Sequence, residues 1–95
     1  MNSYYVYIIT NDGNRVLYVG VTSDLVKRIY EHRNALIEGF SKRYHLKKLV
    51  YFEETSDILS AIEREKKLKK WKKEYKISLV SKFNPEWKDL YHDIL

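Results

Sequence analysis

Five side chains in this sequence are of the types that phosphodiester hydrolysis needs. Tyr7 and Tyr18 lie in two tyrosine-rich apolar stretches on either side of Asn11-Asp12-Gly13-Asn14. Arg28 and His32 stand one helical turn apart, and Glu65 sits in a lysine-rich stretch further on. A phenol or an imidazole can handle the proton of an attacking water, and a guanidinium can neutralise charge developing on phosphate. A carboxylate can hold a hard cation that stabilises the leaving oxygen. Each residue also has a plain structural reading. An aromatic cross-strand pair contributes about 1 kcal/mol or less. A lone inward histidine is more often a satisfied core residue than a catalyst, and an inward glutamate among lysines is often an ion-pair partner. What sets the five apart is that the elements carrying them all aim at one sheet surface.

"SYYVYIIT" (3–10) is β-branched, aromatic and apolar on both parities, as a central strand buried on two faces would be. Asp12-Gly13 is a strong two-residue hairpin signal, and "RVLYVGV" (15–21) reads as the return strand. That turn places Tyr7 directly opposite Tyr18 on one face, with Val6 opposite Val19 and Ile8 opposite Leu17 on the other. Thr22 or Ser23 is expected to cap a helix with Asp24 in its first turn, running to about Ile37 and stopped by Gly39. On that helix Leu25, Ile29, His32 and Leu36 form one core-facing stripe, with Arg28 on its edge. A buried guanidinium must find an anion or line a cleft.

"KKLVYFEE" (47–54) reads as a third strand, and Thr55-Ser56-Asp57 opens a second helix. Ile58, Ala61 and Ile62 mark its inner stripe, whose next position is Glu65; Glu63 and Glu74 fall outside it. A further helix is expected over about 73–82. Asn84-Pro85 breaks it, and "EWKDLYHDIL" (86–95) reads as a short terminal helix. The order β-β-α-β-α-α predicts an α+β domain, a small sheet covered by helices, occupying residues 1–95.

Composition narrows the function classes. The 95 residues are 44% hydrophobic and 33% charged, which suits one folded domain with a small core. With no cysteine there is no disulfide framework and no thiolate metal site. No apolar run reaches a membrane-helix length, and no export signal opens the chain, so a cytoplasmic location is the default expectation. Between Glu63 and Lys76 eight Lys or Arg residues face three Glu, which accounts for the whole net charge of +5. A compact basic block suits a polyanion, although a solvated lysine face is its plainer explanation.

The chain resembles the GIY-YIG nuclease family, close to its small stand-alone members, over essentially its whole length. "Tyr5-Val6-Tyr7" stands where the family has Gly-Ile-Tyr, and "Tyr18-Val19-Gly20" where it has Tyr-Ile-Gly. "YVGVTSDLVKRIYEH" carries the family's Arg and His at Arg28 and His32, "AIEREKKLK" its metal-binding Glu at Glu65, and "FNPEW" its Asn at Asn84. Tyr5 in place of the first glycine is the main departure, and it is expected to pair with Gly20. The resemblance implies a three-stranded antiparallel sheet and metal-dependent cleavage of DNA, branched or damaged DNA included. It implies Tyr7 or Tyr18 as general base, His32 as proton relay, Arg28 on the phosphate and Glu65 on one Mg²⁺ or Mn²⁺. Asn84 would help order the site, and Gly20, Lys66, Lys69, Lys70 and Lys73 would meet the DNA. Two other readings compete: a nucleic-acid-binding module that keeps the scaffold without efficient catalysis, and a protein-interaction domain using Trp71 and Trp87. Without an added DNA-binding domain, selectivity would have to come from an accessory protein or from a DNA structure.

Overall fold

The computed structural model describes residues 2–95. Three strands, β1 (Tyr4–Thr10), β2 (Leu17–Thr22) and β3 (Lys48–Thr55), form an antiparallel sheet in the order β2-β1-β3. The apolar run on both parities puts β1 in the middle, where residues Val6 to Thr10 are all buried. Four helices complete the α+β fold: α1 (Leu25–Arg33), α2 (Phe40–Arg43), α3 (Ile58–Lys70) and α4 (Lys73–Phe83). A single 3₁₀ turn spans Tyr91–Asp93.

Side-chain alternation along β1 divides the interior into two cores. Val6 and Ile8 pack with Val19, Ala61 and Leu68 of β2 and α3, and with Val80 of α4. Tyr7 and Ile9 point the other way, against Leu25 and Ile29 of α1, Leu46, Leu49 and Leu90. Each fully buried aliphatic side chain contributes roughly 1.5–3 kcal/mol. A bulge in β3 keeps both cores filled: Ile8 pairs with Tyr51 and Ile9 with Leu49, leaving Val50 as the extra residue.

The hairpin differs from the two-residue turn expected at Asp12-Gly13. Asn11 to Asn14 form a four-residue turn in which Asn14 N–H donates to the Asn11 carbonyl at 3.0 Å. Asn14, not Gly13, takes the left-handed conformation (φ 57°), and the Asn11 side chain accepts from Arg15 N–H at 2.8 Å. The longer connection moves the register by two residues. Tyr7 pairs with Gly20, Tyr18 with Ile9, Val6 with Val21 and Ile8 with Val19; Tyr5 pairs with Thr22 rather than Gly20. A two-residue shift preserves faces, so Tyr7 and Tyr18 stay on one side as diagonal neighbours.

Helix ends also depart from the sequence reading. Asp24 is the N-cap of α1, its side chain accepting from Lys27 N–H at 3.1 Å. The helix stops at Arg33, short of Ile37, because Ala35 adopts φ 55° and closes a Schellman motif. In that motif Leu36 N–H donates to Glu31 and Ala35 N–H to His32. Leu36 therefore leaves the inner stripe and is 62% exposed. Gly39, at φ 115° and ψ −147°, introduces the unexpected α2 instead of ending α1. Asp57 caps α3, but Ile58 lies at the rim and is exposed, and Leu68 joins Ala61 on the buried stripe. Residues 86–95 form no α-helix, because tertiary bonds claim their backbone: Leu90 N–H donates to the Leu49 carbonyl at 2.8 Å, and Asp89 accepts from Leu49 N–H.

Candidate active site

Tyr7 rises from the central strand and lies over its cross-strand partner, Gly20. A methyl group at Gly20 would stand 2.8 Å from Tyr7 Cε2 and closer still to Cζ and the hydroxyl oxygen. Gly20 is thus buried beneath the ring, and its lack of a side chain provides room for Tyr7. The sequence reading saw the glycine but tied it to Tyr5, because the register was set by the wrong turn.

The Tyr7 hydroxyl lies 2.9 Å from His32 Nε2, and His32 Nδ1 lies 3.0 Å from Ser41 Oγ. Tyr7, His32 and Ser41 are all buried, at 1%, 5% and 7% exposure. Burial, reinforced by the neighbouring Tyr18, holds the Tyr7 phenol well above its ordinary pKa, while Arg28 pulls in the opposite direction. Burial, with Arg28 second, lowers His32 to about 4. At neutral pH the phenol keeps its proton and the imidazole is uncharged. With the imidazole neutral, a phenolic proton donated to Nε2 leaves the Nδ1–H to donate to Ser41 Oγ. Ser41 was missed by sequence reasoning. It stands on the short α2, where four residues carry no legible helical period.

Arg28 and Glu65 complete the cluster from two helices on opposite faces of the sheet. Arg28, on the edge of the α1 stripe, is half-exposed and finds its anion in Glu31, with Nε 3.4 Å from the carboxylate. Glu65 leaves α3 and reaches the Tyr7 side around the free edge of β2, where its charge opposes ionisation of that phenol. Its side chain is 14% exposed and accepts from Lys69 Nζ at 2.8 Å. Lys69 also stands 5.5 Å over the Tyr18 ring, which is 5.9 Å from the His32 ring. Tyr7, Tyr18, Arg28, His32 and Glu65 thus meet at one edge of the sheet.

Other residues read from the sequence lie apart from this group. Asn84 is buried, and its amide donates to the Val50 carbonyl at 3.2 Å and the Lys88 carbonyl at 2.8 Å. Its oxygen accepts from Lys88 N–H, so Asn84 fixes the β3 bulge to the C-terminal segment. Lys66 and Lys70 are exposed on α3 and form no ion pair among the described residues, and Lys73 Nζ donates to the Arg15 carbonyl. Trp71 packs beneath the Arg64 guanidinium, 5.4 Å from it, and Trp87 donates to Ser81 Oγ at 2.9 Å beside the α4 core.

Among the described residues no three His, Asp or Glu side chains form a metal-holding cluster. A lone carboxylate such as Glu65 suits a hard cation that keeps most of its waters, as Mg²⁺ or Mn²⁺ does; it does not suit a closed zinc site. A groove of about 480 Å³ lies elsewhere, between β3 and the start of α3, and is lined by Glu53, Ser60, Glu63 and Arg64.

A central strand bearing Tyr7, an edge strand bearing Tyr18 and Gly20, and flanking helices bearing Arg28, His32 and Glu65 define the class. The GIY-YIG catalytic domain matches residues 3–78, and the chain belongs to this family of nucleases. It is similar to a UPF0213 protein of Staphylococcus saprophyticus, with 33% identity over 82 residues, 85% of this chain and 98% of the relative. A UPF0213 protein of Syntrophus aciditrophicus is 32% identical over 87 residues, covering 90% and 98%. The solution NMR structure of a UPF0213 protein from Bacillus halodurans shares the fold, with a TM-score of 0.59 at 23% identity over 92% of each chain. Asn84 lies beyond the matched residues. No helix among the described residues is long and apolar enough to cross a membrane.

Proposed function

We propose that this protein is a DNA endonuclease that hydrolyses phosphodiester bonds at the Tyr7–His32 edge of the sheet. The observation that carries this reading is a protonated, buried phenol bonded at 2.9 Å to a neutral imidazole, with a half-exposed guanidinium beside them. Tyr7 alone is a poor base, since burial opposes its phenolate. Coupled to His32 it becomes a competent one: as the hydroxyl oxygen accepts the proton of the attacking water, its own proton passes to Nε2. The Nδ1–H bond to Ser41 keeps that lone pair aimed at Tyr7. Arg28 exchanges Glu31 for the phosphate and neutralises charge as it develops. Tyr18 borders the water's approach, and Lys69 offers a cation on the Glu65 side.

Glu65 would hold one Mg²⁺ or Mn²⁺, which when bound offsets negative charge on the phosphate and the leaving oxygen. Lys69 then becomes free to turn towards DNA, joining Lys66 and Lys70 on the same helix. Incubating the purified protein with supercoiled and branched DNA, with and without Mn²⁺, tests the proposal. Strand cleavage that requires the divalent ion is expected. Salt-sensitive DNA binding with no cleavage under any divalent ion would replace the enzyme by a binding module.

A further inference from the structure

Helix α2 and its C-cap residue present two large rings to solvent beside the site. Phe40 is 48% exposed and Tyr44 41% exposed. Together with Tyr18 they form a continuous aromatic series: Tyr18 and Phe40 stack with centroids 6.2 Å apart and planes at 27°, and Phe40 and Tyr44 are 4.7 Å apart. The series starts next to His32, because Tyr18 contacts that ring. It cannot swing freely. Ser41, between the two exposed rings in sequence, is bonded to His32, and Leu46 just beyond is fully buried. Cations border both ends, with Lys69 5.5 Å over Tyr18 and Arg43 5.7 Å over Tyr44.

We propose that Phe40 and Tyr44 are a stacking platform for an unpaired nucleobase adjoining the scissile phosphate, an assignment that rests on the nuclease reading above. Half-exposed aromatic rings on an anchored segment, flanked by cations, match what a nucleotide offers, a flat base on an anionic backbone. Trp71 is also exposed under a guanidinium, but that Arg64 is paired with Glu53, outside the Tyr7–His32 cluster. Ile58 and Leu59 are aliphatic, and Tyr75 and Ile77 lie on α4, away from the Tyr7–His32 edge. A base within duplex DNA has both faces stacked already, so the platform favours single strands, flaps or a flipped-out nucleotide.

The test measures binding by fluorescence anisotropy in EDTA, using a short oligothymidylate and an abasic oligonucleotide of the same length. Wild type should bind the oligothymidylate about tenfold more tightly, the size of one stacked base. Phe40→Ala and Phe40→Leu should both lose that margin while binding the abasic strand as wild type does, and Phe40→Trp should keep it. Melting temperatures confirm that the variants fold, and Phe40→Leu preserves apolar packing against Tyr18. Equal binding of the two strands by wild type would overturn the platform, as would full retention of the margin in Phe40→Leu. Because no cleavage is read, a protein that never cuts DNA but shows this margin keeps the platform and loses the nuclease. A protein that cuts without the margin does the reverse.

Discussion

Two buried tyrosines on neighbouring strands differ in what their hydroxyls touch. Tyr51 donates to Glu53, whose carboxylate also accepts from Arg64 Nε at 2.7 Å, and Arg64 rests over Trp71. Burial first, then the bond to Glu53, pushes the Tyr51 phenol up to about 12. Tyr7 is also raised by burial, but its partner is a neutral imidazole, and its nearby guanidinium pairs with the partly exposed Glu31. The Tyr51 network is closed: the carboxylate that accepts from the phenol is also gripped by Arg64, and both partners are already taken. The Tyr7 network is open at both ends, with a vacant base inside and a cation able to exchange its anion outside. A raised phenol is therefore no mark of catalysis by itself; its acceptor decides.

The contrast is broken most sharply by removing each hydroxyl. Tyr7→Phe should lower cleavage by about 10²–10⁴-fold, the usual weight of a positioned proton carrier. Tyr51→Phe should cost about 1 kcal/mol of stability and leave the rate per folded molecule within twofold. Rates and denaturant melts on both variants check this pair. Gly20→Ala comes next. Its methyl collides with the end of the Tyr7 ring, so a loss of about 1–3 kcal/mol is expected together with a large fall in rate. Wild-type stability and rate would detach Tyr7's placement from Gly20.

Acidification probes the imidazole. The unfolded chain protonates His32 near its ordinary pKa of 6.5, whereas the folded protein resists until about 4. Over that interval the unfolded state binds more protons, so this residue's contribution to stability is present above pH 6.5 and declines as pH falls towards 4, by at most about 3 kcal/mol. His32→Asn should flatten that part of a melting-temperature profile, and an unchanged profile would show that His32 is not held neutral. The smallest effect belongs to the lysines. Reversing Lys66 and Lys70 should leave melting untouched and reduce the salt slope of DNA affinity by about 0.9 for each phosphate they neutralise in wild type. An unchanged slope would return them to a plain solvated surface.

Which of these features the sequence revealed follows from how each is encoded. The shared face of Tyr7 and Tyr18 was legible although their pairing was not, because strand alternation has period two and the register error was also two. Inward His32 and Glu65 were legible as polar interruptions of helical stripes. The grip of Tyr7 on Gly20 was not, since it depends on a turn where Asn14, not Gly13, goes left-handed. Ser41 and the Phe40 platform depend on a four-residue helix opened by Gly39, too short for periodicity to reveal. The end of α1 was hidden for a related reason: an alanine in the left-handed conformation closes it, and nothing in alanine's chemistry announces that role. At residues 86–95 the expected short helix gave way to bonds with Leu49, a tertiary effect invisible to any local reading.

Glu65 gives the most direct test of whether this edge of the sheet hydrolyses phosphodiesters. Its observed partner is Lys69 on its own helix, and because that lysine is 46% exposed the pair adds under about 1 kcal/mol. Glu65→Ala and Glu63→Ala should therefore melt within a few degrees of wild type. Cleavage of supercoiled DNA in Mn²⁺ by the three proteins, read beside those melts, is the decisive measurement. Folded Glu65→Ala should not cleave, with DNA binding intact or tighter, and Glu63→Ala should cleave as wild type does. A well-folded Glu65→Ala protein that cuts as wild type does would contradict hydrolysis at this edge.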